Sequence, residues 1–350
     1  MPSPIPEFGS TKPALAPVKP QRSKQGYWRL VWRQFRRRKA AVAALILLVS
    51  LLVLAATAPL LANDVPWYMV RDGKTYWFPY YIRYPELVNV DYRQWVPREG
   101  ERVLLPPIPH SPLSQNLRRR TQPPSAHHWL GTDDRGRDVL ARMIWGTRIS
   151  MSIGFVSVGI ELIIGVILGA LAGYYGRWVD NLLQRVIEIM MCFPTFFLIL
   201  ALIAFLRPSI YNIMIVIGLT GWMGVARLVR GEFLRLRSSE YALAARASGL
   251  RDTWVIFRHL LPNALAPVLV TAAFGVAGAI LTESSLSFLG FGVQPPEPSW
   301  GELLNQSQRL VGSGVWWLVV FPGAAIFVTV TAFNLVGEGL RDAMDPRLRE

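Results

Sequence analysis

Apolar residues fall along this chain in six long runs, at 40–62, 149–175, 189–206, 208–226, 260–282 and 310–337, with polar segments between them. Each has the roughly 17–25 residues that a helix needs to cross a bilayer, or slightly more. Five contain no Asp, Glu, Lys, Arg or His, and the second contains only Glu161. Hydrocarbon offers backbone groups no partner, so such runs read as helices. The pattern predicts an all-α membrane protein of six transmembrane helices, with an irregular insert over 64–148 between the first and second spans. Ten prolines in that insert, from Pro66 to Pro124, oppose long helices and favour short strands and turns. Its aromatics, among them Trp67, Tyr68, Tyr76, Trp77, Phe78, Tyr80, Tyr81 and Trp95, are expected to pack it onto the membrane core.

Within the runs, Gly165, Gly169 and Gly173 recur every fourth residue and mark a helix face without side chains. Two backbones approach closely across such a face, so the three positions are read as helix-packing sites. Pro194 and Pro322 each remove a backbone donor and predict kinks in the third and sixth spans. Glu161 is costly at membrane depth, so it faces either the translocation path or a neighbouring helix that hydrogen-bonds it.

Composition agrees with the membrane reading: 52% hydrophobic residues, 17% charged and a mean hydropathy of +0.30. Charge then sets the orientation. Residues 1–39 hold ten Lys or Arg against Glu7, and 227–259 holds seven Arg. Short basic loops stay in the cytoplasm, which places both termini there and 64–148 outside. The first run begins near residue 40, too late and too long for a cleaved signal peptide, and residues 1–25 read as disordered. The net charge of +14 fits topology and anionic lipid, with no nucleic acid required. Cys192 is the only cysteine, so no intramolecular disulfide forms.

Between the fourth and fifth runs stands a polar unit with its own structure. Residues 240–248, Glu-Tyr-Ala-Leu-Ala-Ala-Arg-Ala-Ser, favour a helix with Glu240 at its positive end. Gly249 suits the left-handed stop, and Asp252 is placed to cap a second helix with Trp254, Phe257 and Leu261 along one side. Pro262 marks entry into the fifth run. A DNA-binding helix-turn-helix is compatible with such a pair, but spans at both ends would hold its faces at the bilayer.

The spacing Glu240-Tyr241-x-x-Ala244-Ala245-Arg246-Ala247-x-Gly249, then nine residues, then His259-x-Leu261-Pro262, resembles the coupling-loop signature of ABC-importer permease subunits of the dipeptide and oligopeptide branch. Residues 128–140 (His-Trp-Leu-Gly-Thr-Asp-Asp-Arg-Gly-Arg-Asp-Val-Leu) and 337–347 (Gly-Glu-Gly-Leu-Arg-Asp-Ala-Met-Asp-Pro-Arg) resemble the same branch. In the insert, Asn63-Asp64-x-Pro66 and Tyr76-Trp77-Phe78-Pro79 are similar to the microcin-C-type importers.

That resemblance implies a division into a basic arm at 1–39, a first span at 40–63, a periplasmic insert at 64–148, a five-helix core at 149–340 with a coupling loop at about 232–262, and a cytoplasmic tail at 341–350. It implies a multi-pass protein of the bacterial inner membrane that binds no cofactor itself. Two ABC ATPase subunits, or one fused ATPase, would bind ATP and Mg, and a groove on them would receive the 240–248 helix. Ala244 and Ala245 would keep that helix slim, Gly249 would make the bend, and Arg246 would meet an acidic partner residue or lipid headgroups. A second homologous permease subunit and a periplasmic solute-binding protein complete the assembly. Glu283, with Ser284, Ser285 and Ser287, is similar to the family's external gate, and a re-entrant turn lining a wet cavity is expected there.

The remaining chemistry is sparse. No phosphate-binding Gly-x-x-x-x-Gly-Lys loop, His-Glu-x-x-His or Gly-x-Ser-x-Gly occurs, so the chain reads as a transport subunit and not an enzyme. His127, His128, Asp133, Asp134 and Asp138 suggest a metal site, but a turn capping the second span explains them more simply, with Arg135, Arg137 and Arg142 as partners. A secondary transporter would require internal repeats and more buried ionisable groups. A membrane-tethered enzyme would have to work through residues 64–148.

Overall fold

The computed structural model describes residues 27–88, 90, 92 and 101–345. The expectations for residues 1–26, Trp95, Pro97, Pro346 and Arg347 lie outside them. The chain opens with a short amphipathic helix, α1 (Tyr27–Phe35), whose Val31 and Phe35 are buried while Trp28 and Trp32 are exposed. Helix α2 (Lys39–Leu61) carries the first apolar run. The insert then forms three strands, β1 (Tyr68–Arg71), β2 (Lys74–Trp77) and β3 (Arg102–Leu104), in an antiparallel sheet ordered β2-β1-β3. Met69 stands opposite both Tyr76 and Val103, and Met69, Tyr76 and Leu87 close a small core of their own.

Helix α3 (Val139–Tyr175) starts ten residues before the apolar run, so 139–148 is helix and the irregular insert ends at Asp138. The cap itself differs from the expected Thr132–Asp134 turn. Asp138 takes the N-cap position, and its carboxylate accepts from Ala141 N–H at 2.8 Å. At 1.5 Å per residue α3 is about 55 Å long, well beyond the ~30 Å hydrocarbon layer.

The third apolar run is not one helix. Helix α4 (Arg177–Met191) and helix α5 (Thr195–Phe205) meet at an 82° bend. Pro194 stands in the break, where its missing N–H and its restriction of the preceding residue end the first helix. Helix α6 (Ile210–Leu236) continues ten residues past the fourth run, carrying Arg227, Arg230 and Arg235 with it. Helix α7 (Glu240–Ala247) is followed by α8 (Asp252–Trp254), a π-helical stretch (Val255–Leu260) and α9 (Leu261–Phe288). Helix α10 (Trp300–Gln308) and helix α11 (Trp317–Met344) complete the chain. Five stretches are long and apolar enough to cross a membrane, at Lys39–Leu61, Val139–Tyr175, Ile210–Leu236, Asp252–Phe288 and Trp317–Met344; the bent α4–α5 pair makes six if it counts as one.

The central seam joins α3 to α6 through small residues. A Cβ added at Gly165 would fall 2.9 Å from the Trp222 carbonyl oxygen, at Gly169 2.5 Å from that of Ala226, and at Gly173 2.7 Å from that of Arg230. From the other side, Gly218 sits 2.7 Å from the Ser157 carbonyl oxygen by the same measure. These positions have no room for a side chain because the backbone and the Cβ atoms of the facing helix occupy it.

Two contacts set the ends of the bundle. Trp317 Nε1, at the start of α11, donates to the Thr132 carbonyl at 3.1 Å, so α11 begins beside the insert. It finishes at the far end, where Asp342 pairs with Arg38 at 2.6 Å and Gly339 packs on Ala41 and Phe35. The described beginning and end of the chain therefore lie together, at the end that also holds α7.

Candidate functional site

Helix α7 ends where Gly249 takes φ +74°. A Cβ there would meet nothing within 4 Å, so the requirement for glycine is conformational and not steric. Ala242 and Ala245 turn inward onto a cluster with Val225, Phe233, Val255 and Leu260. The opposite face presents Glu240, Tyr241, Leu243, Ala244 and Arg246 to solvent. Ala245 thus packs α7 onto its own bundle. Of the two alanines expected to slim the helix for a groove, only Ala244 lies on the outer face, because one residue along a helix turns the side chain by about 100°.

Three side chains tie α7 to the end of α3. The Arg246 guanidinium lies 4.9 Å from the centre of the Tyr174 ring, and the Tyr174 hydroxyl donates to Asp252 Oδ1 at 2.5 Å. Asp252 is therefore not the cap of a second helix. Arg251 holds the N-cap position without a side-chain bond, and Asp252 faces Tyr174. Nor is that second helix separate, since it runs through the π-helical stretch into α9, with Pro262 exposed in the first turn of α9. Trp254 and Phe257 are exposed. The His259 ring lies 5.7 Å from that of Trp254, and its buried Nε2 has no hydrogen-bond partner. On the α6 side, Arg230 makes a two-pronged ion pair with Asp180 of α4 at 2.5 and 2.7 Å, and Arg237 donates to the Gly173 and Tyr174 carbonyls at 3.2 Å. Each helix leaving this end is thus stitched to a neighbour.

Midway along α3, Glu161 is half-buried against two glycines. Its Oε2 lies 2.8 Å from where a Cβ of Gly221 on α6 would stand, and 3.8 Å from that of Gly275 on α9. No hydrogen bond or ion pair joins it to another side chain among the described residues.

At the insert end, the expected wet turn at Glu283 is a dry knot. Helix α9 continues through Phe288, and Glu283 is 0% exposed. Ser287 and Ser299 both donate to Glu283 Oε1, at 2.7 and 2.8 Å, and Ser284 donates to Oε2 at 3.4 Å. Ser285 faces outward and bonds only the Leu281 carbonyl. A carboxyl group drawn into so many hydroxyls holds α9, the following loop and α10 together.

Next to that knot lies a buried ionic network that sequence reading reached only in part. Asp133, 0% exposed, accepts from both Arg137 (2.7 Å) and Arg142, and Arg142 also reaches Glu302 at 2.5 Å and Gln306 at 2.9 Å. Burial alone would raise the Asp133 pKa, but the charges of Arg142 and Arg137 and backbone N–H donors hold it below the usual carboxylate range. The missed half, Glu302, had a signal: Ser299-x-x-Glu302 is a capping box, and Ser299 Oγ does accept from Glu302 N–H at 3.0 Å.

The described residues hold five or six helices fit to cross a membrane and no catalytic constellation. Residues 165–350 match the binding-protein-dependent transport system inner membrane component family, and 26–81 match the N-terminal transmembrane domain of oligopeptide transport permease C. The chain belongs to the first of these families. It is 36% identical over 338 residues to the dipeptide transport system permease protein DppC of Alkalihalophilus pseudofirmus, covering 97% of this chain and 96% of that protein. Against the inner membrane ABC transporter permease protein YejE of Escherichia coli it is 37% identical, covering 90% and 96%. With the oligopeptide transport system permease protein OppC of Bacillus subtilis it shares 40% identity over 67% of this chain and 77% of that one. A solved structure of the MetNI methionine ABC transporter in an inward-facing conformation aligns with a TM-score of 0.44 at 18% identity, covering 58% and 96%.

Proposed function

We propose that this chain is the permease subunit of an ATP-driven importer that moves peptides or peptide-like solutes from the periplasm to the cytoplasm. The observation that carries this reading is α7: a short helix with an exposed apolar and charged outer face, ended by a left-handed Gly249 and tied through Tyr174, Arg246 and Asp252 to the base of α3. In this reading Tyr241, Leu243 and Ala244 enter a groove on a cytoplasmic ATPase subunit, which binds ATP and Mg. Motion of α7 then tilts α3, α6 and α9 together, because each is bonded to that end.

The end that holds α7 faces the cytoplasm. It carries the Arg residues of α6 and the basic start of α2, while the insert faces the periplasm and a solute-binding protein. The bent α4–α5 pair counts as one crossing, which makes six. Its outer side, with Trp178, Phe197 and Phe205 exposed, fits lipid and a second, homologous permease subunit. Glu161, in its notch between Gly221 and Gly275, faces the path that opens when α6 and α9 move. The names of relatives that transport dipeptides, oligopeptides and glutathione support the peptide class.

The test uses the assembled complex in proteoliposomes with a labelled peptide. Uptake that requires ATP, both kinds of partner and this chain supports the reading. Uptake without any ATPase subunit points instead to a secondary transporter.

A further inference from the structure

Three residues of the insert end converge outside everything assigned above. His110 comes from the segment after β3, His128 from the loop before α3, and Asp138 from the α3 cap, and one ligand atom from each lies within 4.8 Å of the others. The two imidazole rings lie side by side, with centres 4.7 Å apart and planes 32° apart. They line a cavity of about 390 Å³ with Asp138, Asp64 and Ser114.

The hydrogen bonds show which ring nitrogens are already engaged. His128 Nδ1 lies 2.8 Å from Asp138 Oδ2, while Asp138 Oδ1 accepts from Ala141 N–H. Asp138 accepts at both oxygens, so His128 faces it through Nδ1 and turns Nε2 away from that carboxylate. His110 Nε2 lies 3.1 Å from the His127 carbonyl, which only accepts, so Nδ1 is the ring nitrogen not used in that bond. His128 is buried, and its Nε2 has no hydrogen-bond partner. An imidazole held by a carboxylate at one nitrogen and bare at the other is the arrangement of a metal-ligating histidine with its outer carboxylate.

From this geometry we infer that His110 and His128, with Asp138 behind His128, bind a divalent metal ion of the zinc class. Two imidazole ligands favour Zn²⁺ or a neighbouring transition metal over Mg²⁺ and Ca²⁺, which require oxygen-rich shells. Two protein nitrogens leave further positions to water, and the cavity has room for it. The bound ion clamps the 105–111 segment onto the start of α3. The site is independent of what the chain transports.

The experiment strips the purified, lipid-embedded complex with chelator, dialyses it against Zn²⁺ and measures retained zinc by mass spectrometry, with Co²⁺ absorbance reporting imidazole ligation. Variants are compared in the same complex, so zinc bound by other subunits cancels. Wild type retains one Zn²⁺ per chain more than His110→Ala, a variant at a half-exposed position. Asp138→Asn keeps the helix cap but weakens affinity by about tenfold to a hundredfold. His127→Ala, whose ring is not in the cluster, binds as wild type. Equal zinc content in wild type and His110→Ala, or unchanged affinity in Asp138→Asn, overturns the site.

Discussion

Tyr174 and Asp252 stand 78 residues apart in sequence, and the hydroxyl of one donates to the carboxylate of the other at 2.5 Å. Arg246 covers the same ring from α7. The base of α3 is thereby joined to the start of the helix that becomes α9, with α7 held between them. In the proposed coupling, this one tyrosine would carry a push on α7 to two spans.

Tyr174→Phe removes that bond and keeps the ring under Arg246. The ring is buried but its partner Asp252 is exposed and can turn to water, so the stability cost is small, about 1 kcal/mol. The expected result is a complex that assembles and hydrolyses ATP but imports several-fold more slowly, checked by measuring ATPase and uptake on the same proteoliposomes. An equal fall in both activities argues that the bond serves folding and not transmission.

Gly249→Val should abolish ATP-driven uptake while leaving the protein in the membrane. The left-handed backbone costs a β-branched residue roughly 1–2 kcal/mol or more, although the space around it is open. Gly249→Asn is the control. Asparagine visits this conformation readily, so it should retain most transport.

Gly169→Leu has no room, since its Cβ alone would lie 2.5 Å from the Ala226 carbonyl oxygen. Forcing α3 from α6 costs at least ~1–3 kcal/mol, and a lower Tm or loss of folded protein in detergent is expected. Gly159→Leu, on the same helix with nothing within 4 Å of its Cβ, should be neutral in the same assay.

Asp133→Asn leaves Arg137 and Arg142 buried without their shared anion, a loss of about 3–5 kcal/mol, read as a drop in Tm. The pH dependence has a definite sign. The folded pKa of Asp133 is lowered, so its stabilisation is complete above the unfolded value of about 3.9 and declines as pH falls through the lower, folded value. Between pH 7 and about 5 this carboxylate should therefore contribute no loss of stability.

What was legible in the chain was local. The apolar runs mark the spans because hydropathy needs no partner, and Gly249 reads as a left-handed stop because φ is a property of one residue. The Gly165, Gly169 and Gly173 spacing names the same positions that meet α6. Reading failed where a second element decides. In run 189–206 Pro194 reads as a kink because its missing donor is local, but hydropathy carries no direction and does not give the 82° angle that separates α4 from α5. Glu283 reads as part of a re-entrant turn until α9 is seen to continue to Phe288 and Ser299, 16 residues on, to bond it. Arg142 finds Glu302 across 160 residues, and no spacing rule reaches that far. Ala244 and Ala245 are equivalent in the motif, and packing alone turns one outward and the other inward.

The most direct measurement replaces Cys192 by Ser and places single cysteines on α7, at Leu243 on its outer face and at Ala245 on its inner face, in the full complex. Coupling through α7 predicts that Leu243→Cys crosslinks to a cysteine in the groove of the ATPase subunit, in a nucleotide-dependent yield, and that Ala245→Cys does not. A Leu243→Cys that never crosslinks to the ATPase, or that is labelled only from the periplasmic side, contradicts the account.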